Sequence, residues 1–309
     1  MTVFDERLMR PYRAADLDRL LRFVGECNLT PSADWPMHSG DVVHFMSNTL
    51  RGRDLERFVF LYEQSDGRLR AVALFYAGDP YGYDLLVAPE LRGAETGDFE
   101  AAALAWADAR ANVMAKEAGS NALAVEVSNN DTIREQIVAR LGYAPTSAPG
   151  MLYATRSLRD SIPDKPLPDG FSMRPVAGEM EAGLVAAVHN GAFTPKWDAE
   201  QYLAVMRTPG FHSKRELVVV APDGRFAAFV IIWLDPISRS GLFEPVGCHR
   251  DFQRQGLTSA LMYEGMRRMR AAGMETAIVR YNSDNAAGVP LYRSVGFQTR
   301  YEIARYRKP

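Results

Sequence analysis

The sequence predicts two tandem α/β domains, each a mixed β-sheet flanked by helices. The first observation behind this is alternation: apolar runs of strand length interleave with segments of helical periodicity along the whole chain. The second is repetition. Leu8-Met9-Arg10-Pro11 recurs as Ser172-Met173-Arg174-Pro175, and Asp66-Gly67-Arg68 as Asp223-Gly224-Arg225. Asp79-Pro80 recurs as Asp235-Pro236, and Leu141-Gly142-Tyr143 as Val295-Gly296-Phe297. Four matches in order, 154 to 164 residues apart, indicate a duplication. The third is a polar stretch between the repeats, holding Pro163, Pro166 and Pro168, which reads as a linker. The expected organisation is a domain over 1–158, a linker over 159–170 and a second domain over 171–309.

In the second half the pattern places strands near 171–175, 216–221, 226–234, 242–248, 276–281 and 298–307. The second and third form a hairpin on Asp223-Gly224, a pair that favours a tight turn. Helices fall near 178–192, 199–207, 257–272 and 286–295. In the third of these, apolar residues at 257, 261, 262, 266 and 269 follow helical spacing, and Gly273 suits its C-terminus. Asn282-Ser283-Asp284-Asn285 is a capping cluster before the last helix.

The composition is that of an ordinary globular chain. Of 309 residues 47% are hydrophobic and 24% charged, with a net charge of −2, so nothing calls for nucleic acid. The two cysteines, Cys27 and Cys248, lie in different halves and make neither a disulfide framework nor a zinc pattern. The first residues lack a signal peptide and no apolar run reaches the roughly 18 residues of a membrane span, so a cytoplasmic protein, monomeric or homodimeric, is expected. The basic residues are mostly arginine, which suggests a GC-rich bacterial gene.

The chemistry concentrates at 244–259. An apolar strand ends in a short polar loop that opens a long helix at Leu257, leaving backbone N–H groups without partners at one spot, as an anion requires. Gln253, Arg254 and Gln255 add donors, and Gly256 lets the backbone approach a phosphate. Gln253-x-x-Gly256-x-Thr258, followed by Asn285 and Leu291-Tyr292-x-x-x-Gly296-Phe297, resembles the signature of the GNAT superfamily of N-acyltransferases. The resemblance covers 170–309 closely and the first half loosely. It implies tandem GNAT-like domains in which two parallel strands of each sheet, here 242–248 and 276–281, splay apart. Acetyl-CoA is then the acyl donor, bound by Gln253, Arg254, Gln255, Gly256, Leu257, Thr258, Ser259 and Asn285. Main-chain groups of Val246, Gly247 and Cys248 pair with its pantetheine arm, a form of strand addition.

The resemblance also implies direct transfer to a primary amine of a small molecule, with Tyr292 as the acid for the departing thiolate. Glu244, two residues before Val246 and so expected on the same strand face, lies inside an otherwise apolar strand and is the candidate base, since burial raises a carboxyl toward neutrality. Pro245 beside it leaves open an exposed edge charge instead. The tandem layout is similar to that of mycothiol synthases, which makes a cysteinyl amine an alternative acceptor. A non-catalytic acyl-CoA-binding or scaffold protein is the rival reading.

Two positions depart from the signature. Thr258 stands where Gly or Ala is usual, and Pro290 either kinks the helix bearing Tyr292 or marks a later start. In the first half, gap-free alignment puts Glu95 on Gly256, Val138 on Tyr292 and Tyr83 on Glu244, so that half is expected to lack both phosphate site and acid. Other reactive side chains read as ordinary ones. Cys248 is expected to pack rather than attack, and His189 to be a surface histidine. His38 and His44, near Asp34 and Asp41, match no metal spacing, so no metal is expected. Phe193, Trp197, Tyr202 and Trp233 are divided between core and acceptor pocket.

Overall fold

The computed structural model describes residues 3–29, 37–92, 97–194 and 196–308. The first half runs β1 (Met9–Pro11), α1 (Leu17–Cys27), α2 (Ser39–His44), α3 (Leu55–Phe58), β2 (Val59–Glu63), β3 (Leu69–Tyr76) and β4 (Tyr81–Val87). It continues with α4 (Gly97–Glu117), β5 (Leu123–Ser128), α5 (Thr132–Arg140), β6 (Ala144–Pro145) and β7 (Met151–Ser157). The second half holds β8 (Ser172–Pro175), α6 (Ala182–Ala192), α7 (Ala199–Met206), β9 (Glu216–Val220), β10 (Phe226–Asp235) and β11 (Ser240–Cys248). It ends with α8 (Leu257–Ala271), β12 (Thr276–Asn282), α9 (Gly288–Ser294) and β13 (Gln298–Lys308). The expected order of strands and helices in the second half is the observed one.

Two compact units result. The first draws on Met1–Met37, Thr49–Leu152 and Tyr301–Pro309, the second on His38–Asn48 and Tyr153–Arg300. The sheet of the first unit runs β1-β2-β3-β4-β5, with the last part of β13 beside β5, where Ile303 to Lys308 pair antiparallel with Ser128 to Leu123. That of the second runs β7-β12-β11-β10-β9-β8. The C-terminal strand of each half of the sequence is thus taken up by the unit built from the other half. The short helix α2 likewise joins the second unit, on β10 and β11.

β10 explains why its sequence is apolar throughout rather than alternating. Phe229 packs among Val185, Val188 and Tyr202 of α6 and α7, and Ile231 and Trp233 pack with Val205. The helix α8 packs on β9, β10 and β11 as well. A strand covered on both faces buries nearly all its side chains, here all but Leu234. Among the described residues no helix is long and apolar enough to cross a membrane.

Two irregularities mark the end of β11. The parallel pairing of β11 with β12 spans only Ser240–Leu242 against Thr276–Ile278, after which both strands continue unpaired with each other. This is the splay. On its other side, β11 pairs with β10 through Val246↔Val230 and then Phe243↔Ile232. Glu244 and Pro245 therefore face one residue, Ile231, and form a β-bulge, a device that re-aims side chains near active sites. Trp233 Nε1 donates to the Glu244 carbonyl at 2.7 Å and satisfies the backbone there. The bulge breaks the two-residue alternation, so Glu244 and Val246 do not share a strand face by periodicity.

Candidate functional site

A cleft of ≈ 890 Å³ opens at the splay of the second unit. Its strand wall is Val246, Gly247 and Cys248, and its other wall is α9 with Asn285, Gly288 and Tyr292. Gln253, Arg254, Gly256, Leu257, Thr258 and Ser259 line it at the start of α8. Gln255 is exposed in the same loop and does not line the cleft, and neither does Glu244. Every other residue expected to bind cofactor is brought to this one cavity.

The loop starts α8 without a side-chain cap. Gly256 is the N-cap of α8 at φ 79°, in the left-handed region that disfavours side chains, and α8 carries no acid in its first turn. At the splay, a Cβ on Gly247 would sit 2.3 Å from Phe229 and 3.0 Å from Phe193, so glycine is needed for those rings to close on the strand. Thr258 is half-buried and partly offsets the burial that pushes the Cys248 thiol up. A thiol held protonated is no nucleophile, in line with a packing role for Cys248.

Pro290 causes no kink. The helix begins at Gly288, two residues later than its pattern suggested, so Pro290 lies in the first turn, where its missing N–H costs no helical bond. Asn285 sets that start: its Oδ1 accepts from Gly288 N at 2.8 Å, and its carbonyl accepts from Val289 N at 3.0 Å. Tyr292, 7% exposed, is therefore held firmly, its ring centroid 4.5 Å from that of Tyr281 and 6.2 Å from that of Phe297. Burial raises its phenol well above the usual range, and the Glu244 and Tyr281 charges add to this.

Glu244 stands in a polar cluster that the sequence reading did not assemble. Burial pushes its carboxyl up to about 7, the Asp41 carboxylate of α2 adds to the rise, and Arg280 of β12 opposes it. Arg280 Nη1 lies 3.4 Å from Asp41 Oδ2, which also accepts from His38 N at 2.8 Å. Arg280 carried a signal that could have found it: like Glu244, it is a charge in the middle of an apolar strand. A raised carboxyl alone marks no catalyst, for burial also lifts Glu216 to about 8, where it is bonded to Tyr202 in the core away from the cleft.

The remaining reactive side chains have structural places. His189 is buried rather than on the surface, stacked on Trp197 at 4.4 Å, and burial lowers its pKa. His38 caps α2, its Nδ1 accepting from Gly40 N at 3.0 Å. Asp34 lies outside the described residues, and among those described no group of His, Cys, Asp and Glu is placed to hold a metal ion. Tyr202 and Trp233 are core, Trp197 packs on the core, and Phe193 alone of the aromatic set lines the cleft.

The first unit uses the corresponding elements differently. β4 and β5 also pair only briefly, at Tyr81–Leu123 and Gly82–Ala124. Beyond them, Arg134 of α5 binds Glu100 of α4 at 2.6 Å, and Arg92 reaches both Glu100 and Asp131. Glu100 is fully buried. Ion pairs thus join the two helix starts that in the second unit border the open cleft. Val138 and Tyr83 are buried. Glu95 lies outside the described residues.

Comparison with known proteins agrees with this geometry. Residues 185–297 match the acetyltransferase (GNAT) family. A mycothiol acetyltransferase from Pseudarthrobacter chlorophenolicus is 27% identical over 206 residues, 64% of this chain and 63% of that protein. The match therefore spans less than two thirds of that relative. Another, from Tsukamurella paurometabola, is 28% identical over 249 residues, 75% of this chain and 80% of the relative. In fold, a GCN5-related N-acetyltransferase from Sphaerobacter thermophilus superposes with a TM-score of 0.67 at 18% identity, over 99% of this chain and 96% of its own. A tandem GNAT protein from the clavulanic acid pathway gives 0.69 at 15% identity, over 97% of each. The splayed sheet, the glycine loop at the start of α8 and the helix carrying Tyr292 all fall within 185–297, the part of the chain that matches the acetyltransferase (GNAT) family.

Proposed function

We propose that the protein is an acetyl-CoA-dependent N-acetyltransferase acting on a primary amine of a small molecule, with its site in the second unit. The observation that carries this is the glycine-loop cleft with Tyr292 in its wall, and Glu244, outside the lining, close enough for its charge to act on Tyr292. Residues 253–259 would hold the phosphates, and Val246 to Cys248 the pantetheine arm. Acetyl-CoA supplies the thioester carbonyl. The backbone N–H groups near the splay would stabilise negative charge on that carbonyl oxygen. Glu244 would take a proton from the attacking ammonium, and Tyr292 Oη would give one to the departing sulfur.

The mycothiol acetyltransferase relatives favour a cysteinyl amine as one acceptor to test. Thiol release from acetyl-CoA, followed with a panel of amines that includes cysteinyl amines, tests the reading. Release with none of them would favour the non-catalytic scaffold.

A base at about 7 predicts that kcat/KM falls as pH drops below about 7, because protonated Glu244 accepts nothing. The sign of the tuning follows: Asp41→Asn removes a like charge, lowers the proton affinity of Glu244 and moves the acid limb to lower pH. A pH–rate profile reads both, and a limb unmoved in Asp41→Asn would reject the coupling.

The first unit is expected to carry no cofactor, its helix starts being closed by Arg92, Glu100, Asp131 and Arg134. Calorimetry should give one CoA per chain. Two equivalent sites would contradict this.

A further inference from the structure

The cation arrangement at the start of α8 is self-repelling. α8 is 15 residues long, and its N-terminus presents the positive end of its dipole. Arg254 sits in the same loop, exposed and held at φ 61°, a left-handed conformation costly for a residue with a side chain. A third positive group arrives from elsewhere in the chain. A Cβ built on Gly256 would lie 3.0 Å from Lys165 Cε and 3.2 Å from Lys165 Nζ. Lys165 belongs to the polar stretch before β8, not to the loop. Among the described residues no carboxylate lies within ion-pair distance of Lys165 or Arg254. Asp251, the acid nearest Arg254 in sequence, is engaged by Arg225 at 2.8 Å, and Asp164, beside Lys165 in sequence, is exposed.

The stretch is fixed, so Lys165 is not there by drift of a loose segment. Arg156 Nη2 donates to the Ser161 carbonyl at 2.8 Å, and Arg267 Nη1 of α8 donates to the Pro163 carbonyl at 3.1 Å. Downstream, Phe171 meets Phe252 edge to face at 6.0 Å, and Phe252 lines the cleft. Between these anchors Pro163, Pro166 and Pro168 restrict the backbone around Lys165. Arg254 and Lys165 are exposed beside the helix start, a positive arrangement that a bound anion would complete.

We propose that Lys165 is a phosphate ligand of the bound cofactor, carried to the glycine loop by the linker. The proposal rests on the acetyl-CoA reading above. Its chemistry, an ammonium on a phosphate oxygen, is the same for the diphosphate and the 3′-phosphate. The test measures binding of CoA, 3′-dephospho-CoA and pantetheine by calorimetry to the full chain and to Lys165→Ala and Lys165→Arg. Lys165→Ala should weaken CoA about tenfold, the scale of one charge-assisted contact, and Lys165→Arg should restore most of it. Pantetheine, which has neither phosphate, should bind both variants like the wild type. Equal loss for CoA and dephospho-CoA assigns the diphosphate, and loss for CoA alone assigns the 3′-phosphate. Unchanged CoA affinity, or a matching loss for pantetheine, overturns the proposal. A wild type that binds no CoA at all would instead overturn the cofactor reading beneath it.

Discussion

Gly256→Glu is expected to remove measurable CoA binding while the protein still folds. Three effects add. The residue sits at φ 79°, where a side chain is strained, at a cost of about 1 kcal/mol. Its Cβ would crowd Lys165 at 3.0 Å. Its carboxylate would stand at the helix start, satisfying the free N–H groups and pairing with Lys165, and so act as a built-in substitute for the phosphate. Against a real phosphate it adds repulsion of roughly 1–4 kcal/mol at close range. Together these weaken binding by about a hundredfold or more. Gly256→Ala carries the strain without the charge and should lose much less. Calorimetry separates the two variants, and a Gly256→Glu protein with normal affinity would move the phosphate site elsewhere.

What was legible in the sequence was local. The glycine loop, the cap at Asn285 and the tyrosine on the following helix each lie in a contiguous stretch, and the structure gathers them around one cleft. Even the doubtful Pro290 resolved by a two-residue shift of a helix start, well within the usual uncertainty of boundaries. The parts that were not legible depend on partners distant in sequence. Periodicity says that 151–157 and 298–308 are strands, but not which sheet each one completes. Nothing in Ser39–His44 says that it packs on β10 and β11, so the sequence does not bring Asp41, the neighbour that most affects the charge of Glu244, to that residue. Pairing by alternation also failed at the bulge, because an extra residue there is invisible to a period of two. Lys165 reads as linker for the same reason: its charge has meaning only beside Gly256.

Tyr292→Phe should lower kcat by roughly 10²-fold or more if proton transfer to sulfur limits the rate, with CoA affinity near normal. The substitution isolates the hydroxyl. The ring is fixed by Tyr281 and Phe297, contacts that phenylalanine retains, and the phosphates would be held at the far end of the cleft by other residues. Loss of one hydroxyl should cost the fold about 1 kcal/mol at most. The pairing with Glu244 explains why this phenol suits an acid. Burial lifts both groups, but from different starting points, leaving the carboxyl at about 7 and the phenol above its usual range. Between those values Glu244 is ionised and Tyr292 protonated, the division of labour the reaction needs. The negative charge on Glu244 in turn helps to keep the proton on Tyr292. In Tyr292→Phe the acid limb set by Glu244 should therefore persist while the plateau drops. A variant with wild-type turnover would reject Tyr292 as the acid. A plateau that drops together with loss of the acid limb would point to a disturbed Glu244 instead.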